Sequence, residues 1–136
     1  MVVPLVFSCS GNKRFRINGT IDKDSRPVVY FDEQEVSQIV SIDSVRADRH
    51  GRFSIHGRID YPRFFHIHLG DNNLIPLLIA PGEKVILTCH SDKFSSDYTV
   101  DGSEGSEQIF QLNERVFETN RRLDSIENIL NNPRTE

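Results

Sequence analysis

The chain has 136 residues and a formal net charge of −4, with 37% hydrophobic and 26% charged residues. That length suits one domain able to bury roughly two thirds of its unfolded surface, and the composition is that of a soluble globular protein rather than a disordered or membrane one. The acidic balance gives no footing for nucleic acid, whose binding draws on counterion release at a basic surface, and no apolar run approaches the ~20 residues that span a bilayer.

The segment from Met1 to Phe7 is apolar and gives way to Ser8, Cys9, Ser10, Gly11 and Asn12. Two readings stay open. Residues 1–8 form a short extra strand or a tag, or residues 1–12 are a truncated lipoprotein signal and tether. In the second reading Cys9 is the lipid-bearing first residue of the mature chain, although the basic n-region of a secretory signal is missing.

A β domain is expected over residues 13–103. Period-two alternation marks the strands. Phe15, Ile17, Gly19 and Ile21 point one way, while Arg14, Arg16, Asn18 and Thr20 point the other. Val28 to Phe31 is the next strand, and Asp32 to Glu35 reads as polar loop. Ile39 to Ala47 is longer, and its alternation slips near Asp43 and Ser44, as a β-bulge would cause. Asp48 to Gly51 reads as a hairpin turn with Gly51 at positive φ. Phe53, Ile55, Gly57 and Ile59 then face inward, opposite Arg52, Ser54, His56 and Arg58. After Tyr61 and Pro62, Phe65, Ile67 and Leu69 continue the inner face, opposite Phe64, His66 and His68. Leu74 to Ala80 is apolar on both faces and is expected to be a central strand, with Pro76 at a bulge or edge position. Pro81 and Gly82 suit a type II turn, and strands at Val85–Cys89 and Tyr98–Val100 complete the set. About eight such strands predict a mainly β protein, an antiparallel β-sandwich or open barrel.

The period then changes. From about Ser106 to Asn131, within a segment spanning residues 104–132, Ile109, Leu112, Val116, Leu123, Ile126 and Leu130 recur at three/four spacing, as on one face of a helix. Ser103 or Ser106 is placed to cap it, Glu104 and Glu107 suit its positive end, and Pro133 stops it. Such a helix is roughly 38 Å long, longer than a small sandwich is wide. Its far half is therefore expected to dock on something else, either another domain or a second copy of the chain.

Candidate chemistry is sparse. Cys9 and Cys89 are the only cysteines and form no Cys-x-x-Cys pair, so no dithiol site is expected within the chain. Cys89 is in phase with Val85 and Leu87 and reads as a buried, inert thiol. His66 and His68 share one strand face, and His56 stands on the outer face of the strand before. Were those two strands to pair, three imidazoles would converge as zinc or copper requires. With no acidic or thiolate ligand beside them, solvated or helix-contacting histidines are the reading kept, and neither metal nor cofactor is expected. Arg14, Arg16, Arg52, Arg58 and Phe64 are read as sharing that outer face. A basic-aromatic surface of this kind suits an anionic partner. It would receive the acidic side of the helix, an adjacent domain, or a glycan or peptide ligand. No Gly-x-Ser-x-Gly motif and no phosphate-cradling loop is present.

The sequence also carries a recognisable order of motifs. Phe15-x-Ile17-x-Gly19-x-Ile21 is followed by Ile42-Asp43-Ser44 and Gly51-x-Phe53-x-Ile55-x-Gly57. Pro62-x-x-Phe65, Pro81-Gly82-Glu83 and Val100-Asp101-Gly102-Ser103 complete it. This resembles the β-rich domain of unknown function at the N-terminus of bacterial envelope thiol–disulfide oxidoreductases, upstream of a thioredoxin-like (AhpC/TSA-type) domain. The resemblance covers about residues 13–130. It implies a lipoprotein facing the periplasm, anchored through Cys9, and a helix leading toward a thioredoxin-like domain that holds the Cys-x-x-Cys motif. It implies no enzyme activity for this chain and assigns it an accessory role, positioning or docking the redox domain. Membrane contact is then expected only through the lipid.

Overall fold

A computed structural model describes residues 11–22, 26–70 and 73–132 of the chain. Eight strands precede one helix: β1 (Arg14–Ile21), β2 (Val28–Gln34), β3 (Ile39–Arg46), β4 (Arg52–Arg58), β5 (Arg63–His68), β6 (Leu74–Ile79), β7 (Lys84–Cys89), β8 (Tyr98–Asp101) and α1 (Glu104–Asn131). They form two four-stranded sheets, ordered β4-β1-β7-β8 and β3-β2-β5-β6. The expected mainly β architecture with a C-terminal helix is what the chain adopts. One pair departs from the antiparallel pattern, because β7 runs parallel to β1.

The repeated Phe-x-Ile-x-Gly pattern explains how β1 and β4 fit together. Antiparallel pairing sets Phe15 opposite Gly57, Ile17 opposite Ile55 and Gly19 opposite Phe53. Each glycine leaves room for the ring across from it. A Cβ on Gly19 would lie 2.0 Å from the Phe53 ring, and one on Gly57 would lie 2.8 Å from the Phe15 ring. The second sheet supplies Phe31 and Phe65, whose rings stack at 4.7 Å, with Phe15 at 6.0 and 5.5 Å from them. Around this aromatic centre Ile17, Val29, Ile67, Ile75, Leu77, Ile79, Val85 and Leu87 are completely enclosed. Phe94, just past a short 3₁₀ turn at Ser91–Lys93, is also buried.

Several expectations change in detail. The bulge lies on β3, where the partner of β2 jumps from Asp43 to Ser41 and leaves Ile42 as the extra residue. Strand β2 continues to Gln34, through the stretch read as polar loop, since Asp32 and Glu33 pair with His66 and Phe65 on β5. The Asp48–Gly51 turn does have Gly51 at φ 75°, but it is no hairpin. It carries the chain from β3, at the edge of one sheet, to β4, at the edge of the other. The Asp48 carboxylate accepts hydrogen bonds from the backbone of His50 and Arg52 (2.8 and 2.9 Å) and fixes the crossing.

Strand β6 is not central. Among the described residues it pairs only with β5 and forms a sheet edge, which is why Pro76 is tolerated opposite His66. Its second apolar face is explained by the helix. The Leu78 N–H donates to Ser106 Oγ (3.1 Å), and Ser103 Oγ donates to the Leu78 carbonyl (2.9 Å). Ser103 is also the N-cap, accepting from Ser106 N (3.4 Å). The first turns of α1 thus pack against β6 and β8, where Phe110 meets Tyr98 edge-on at 5.0 Å. After Phe110 every described helix residue is exposed.

Candidate functional site

Strand register concentrates positive charge on the outer face of the β4-β1-β7-β8 sheet. Arg14 stands directly opposite Arg58, and Arg16 opposite His56. On its other side Arg16 neighbours Lys84 of β7. These residues, with Asn12 and Asn18, line an open depression of about 750 Å³ that contains no carboxylate. Among the described residues none of Arg14, Arg16, Arg58 and Lys84 forms a salt bridge. Like charges placed directly across a ladder repel, and no carboxylate among the described residues lining the depression offsets them. Lys84 was not singled out from the sequence. The signal was there, since it alternates outward with Ile86 and Thr88 on a strand expected beside the core.

Arg52 shares this sheet face but lies toward its other end, opposite Thr20. Phe64, His66 and His68 do not share it at all. They lie on the outer face of the other sheet, on the far side of the core. Their phase continues that of β4 and by itself groups them with the arginines. Phase misleads here because β4 and β5, although consecutive, belong to different sheets and show opposite outer surfaces.

The second surface has its charges paired. His68 Nε2 and Asp32 Oδ2 are 2.7 Å apart, and the imidazole stacks on Tyr30 at 5.2 Å. Arg63 binds Glu33 at 2.6 Å. Burial pushes His66 below the ordinary histidine range, while Phe64 is half exposed. His56 therefore cannot converge with His66 and His68. Among the described residues no group of three or more His, Cys, Asp or Glu is placed to hold a metal ion.

Cys89 is enclosed, and burial pushes its thiol up to about 12. At neutral pH it stays protonated, so it is a poor nucleophile. Cys9 lies outside the described residues. The helix positions are placed as the sequence implies, on one side of α1, but only Ile109 is half-buried. Leu112, Val116, Leu123, Ile126 and Leu130 are 51–73% exposed, and Phe117 and Ile129 add 59% and 68%. The helix does not reach the cationic depression. It covers the β6 and β8 end of the molecule instead, so the expected use of the basic face by the chain's own helix is not what the fold provides.

A family model described as a domain of unknown function, DUF4369, matches residues 15–109. The chain belongs to the DUF4369 family. The match starts at Phe15 in β1 and ends at Ile109, close to where α1 parts from the sheets. The DUF4369 domain is thus the sandwich together with the helical turns that seal its β6 edge. No curated protein matches the chain. No described helix is long and apolar enough to cross a membrane.

Proposed function

We propose that this DUF4369 domain is a non-catalytic accessory unit of a lipid-anchored, periplasm-facing protein of the thiol–disulfide oxidoreductase type. In this reading Cys9 carries the anchor, and α1 positions or docks a thioredoxin-like domain that performs the dithiol chemistry. The observation that carries the reading is the contrast within α1. Its first turns are locked to the sandwich, while more than twenty Å of amphipathic helix beyond them, by helical rise, has no apolar partner among the described residues. The buried, protonated Cys89 agrees with a redox role that lies elsewhere.

Two measurements test it. Insulin reduction by the chain alone should show no turnover above buffer, and turnover that is lost on Cys89→Ala would overturn the accessory assignment. A thioredoxin-like domain joined after α1 should show slower backbone tumbling than the same domain free, through its mechanical link to the sandwich. Independent tumbling of the two would remove the positioning role.

A second reading rests on the cationic depression, which suits a module binding an anionic glycan or acidic peptide. Arg14→Glu with Arg58→Glu should abolish retention on a sulfated-polysaccharide column at low salt. Retention unchanged by this double reversal rules that reading out.

A further inference from the structure

The exposed arm carries a seam with a period of its own. From Ile109 to Leu130, the positions reached by alternating steps of three and four are all apolar except Thr119. A 3.5-residue repeat of this kind is the signature of a coiled coil, and exposed Phe117 and Ile129 flank the seam on either side. Leu112, Val116, Leu123, Ile126 and Leu130 on this seam are all more than half exposed.

We propose that the seam pairs with the same seam of a second copy of this chain, as a parallel two-stranded coiled coil, so that α1 positions the redox domain of the proposed function from its far end and does not dock it along the seam. Flanking charges decide the orientation. With Ile109, Val116, Leu123 and Leu130 at a positions, Arg115 and Arg122 fall at g and Glu127 at e. In a parallel pair the g residue of one helix faces the e residue five positions later on the other. Arg122, which within the chain pairs with Glu118 at 2.6 Å across one exposed helical turn, then also meets Glu127 of the second copy, twice by symmetry. An antiparallel pair of full overlap would instead set Arg115 against Arg122, also twice. The first arrangement attracts and the second repels.

The sandwich does not obstruct this pairing. Ser106 and Phe110 turn toward the sheets. At 100° per residue the centre of the seam lies about a third of a turn around the helix from them. Two sandwiches therefore flank the start of the coil without entering it. Three heptads make a short coil, so the association is expected to be concentration-dependent rather than permanent.

The test needs no redox partner, so its failure is separate from failure of the accessory role. Sedimentation equilibrium of the full chain, carrying Cys9→Ser to remove unrelated disulfides, is followed from about 10 µM to about 1 mM. A monomer–dimer equilibrium is expected, and a monomer throughout overturns the proposal. Glu127→Arg should weaken the dimer about fivefold by turning two attractive contacts into repulsive ones. Combining it with Arg122→Glu should recover much of that loss. A dimer indifferent to Glu127→Arg refutes the parallel pairing. Ile126→Cys gives the geometric check: in glutathione buffer it should form a disulfide-linked dimer far faster than Asn128→Cys, which lies off the seam. Equal rates at the two positions would sink the proposal.

Discussion

The sandwich and the outer part of α1 solve the same problem in opposite ways. In the sandwich, apolar side chains from two sheets enclose one another, and even the glycines are placed to receive rings. Beyond Phe110 the helix carries a comparable run of Leu, Ile, Val and Phe that nothing among the described residues covers. A helix of about this length is only marginally stable alone in water. Its stability is borrowed from the anchored first turns at one end, or from a partner along its side. The contrast teaches that one chain can contain a core that encloses itself and an element whose apolar side chains the described residues leave uncovered.

Substitutions in the two regions should separate sharply. Phe31→Ala removes the ring at the centre of the aromatic cluster and should cost about 3–5 kcal/mol of sandwich stability in urea melts. Leu123→Ala, at a chemically similar apolar site on the arm, should leave the sandwich transition within about 0.5 kcal/mol. If Leu123→Ala proves as costly as Phe31→Ala, the division between core and arm is wrong.

Gly19→Ala should rank next, at about 1–3 kcal/mol, because the added methyl meets the Phe53 ring and the pair must shift. Ser106→Ala comes near it, at about 1–3 kcal/mol, since the buried Leu78 N–H loses its acceptor. Ser106→Ala should also raise amide exchange in the first turns of α1. Unchanged exchange there would mean that the arm is not anchored through that serine.

The smallest expected effect is one of pH. Asp22 holds His90 above its ordinary range, chiefly by a hydrogen bond (2.6 Å), and His90 in turn holds Asp22 below the usual carboxylate range. The His90 contribution is fully present below the unfolded histidine value and fades as pH rises through its folded value. The Asp22 contribution is present above the unfolded carboxylate value and fades as pH falls through its folded one. The pair therefore helps most in mildly acidic solution. Asp22→Asn should lower the His90 titration midpoint in NMR, and an unmoved midpoint would deny the link.

Much of the sandwich was legible because alternation records burial directly. Phe15, Ile17, Phe53, Ile55, Phe65 and Ile67 all face inward as read. What alternation does not record is which sheet a strand joins. For that reason alternation alone makes the β3–β4 turn a hairpin and sets Phe64, His66 and His68 with the arginines. Strand β6 misled for a related reason. Apolar residues on both faces mean cover on both sides, but the cover is a helix rather than flanking strands. Arg14, Arg16, His56 and Arg58 were visible as a basic group. Their closeness to Lys84 depends on the parallel β1–β7 pairing, which connects residues far apart in sequence.

The serine clasp at Leu78 has a further consequence. An uncovered strand border offers its amides and carbonyls to any passing chain, and this invites intermolecular zippering. Ser106 at the start of the arm bonds both the Leu78 N–H and its carbonyl on that border, so loss of the arm should expose it. A chain cut before α1 should precipitate more readily than the full chain, even with its interior packing intact.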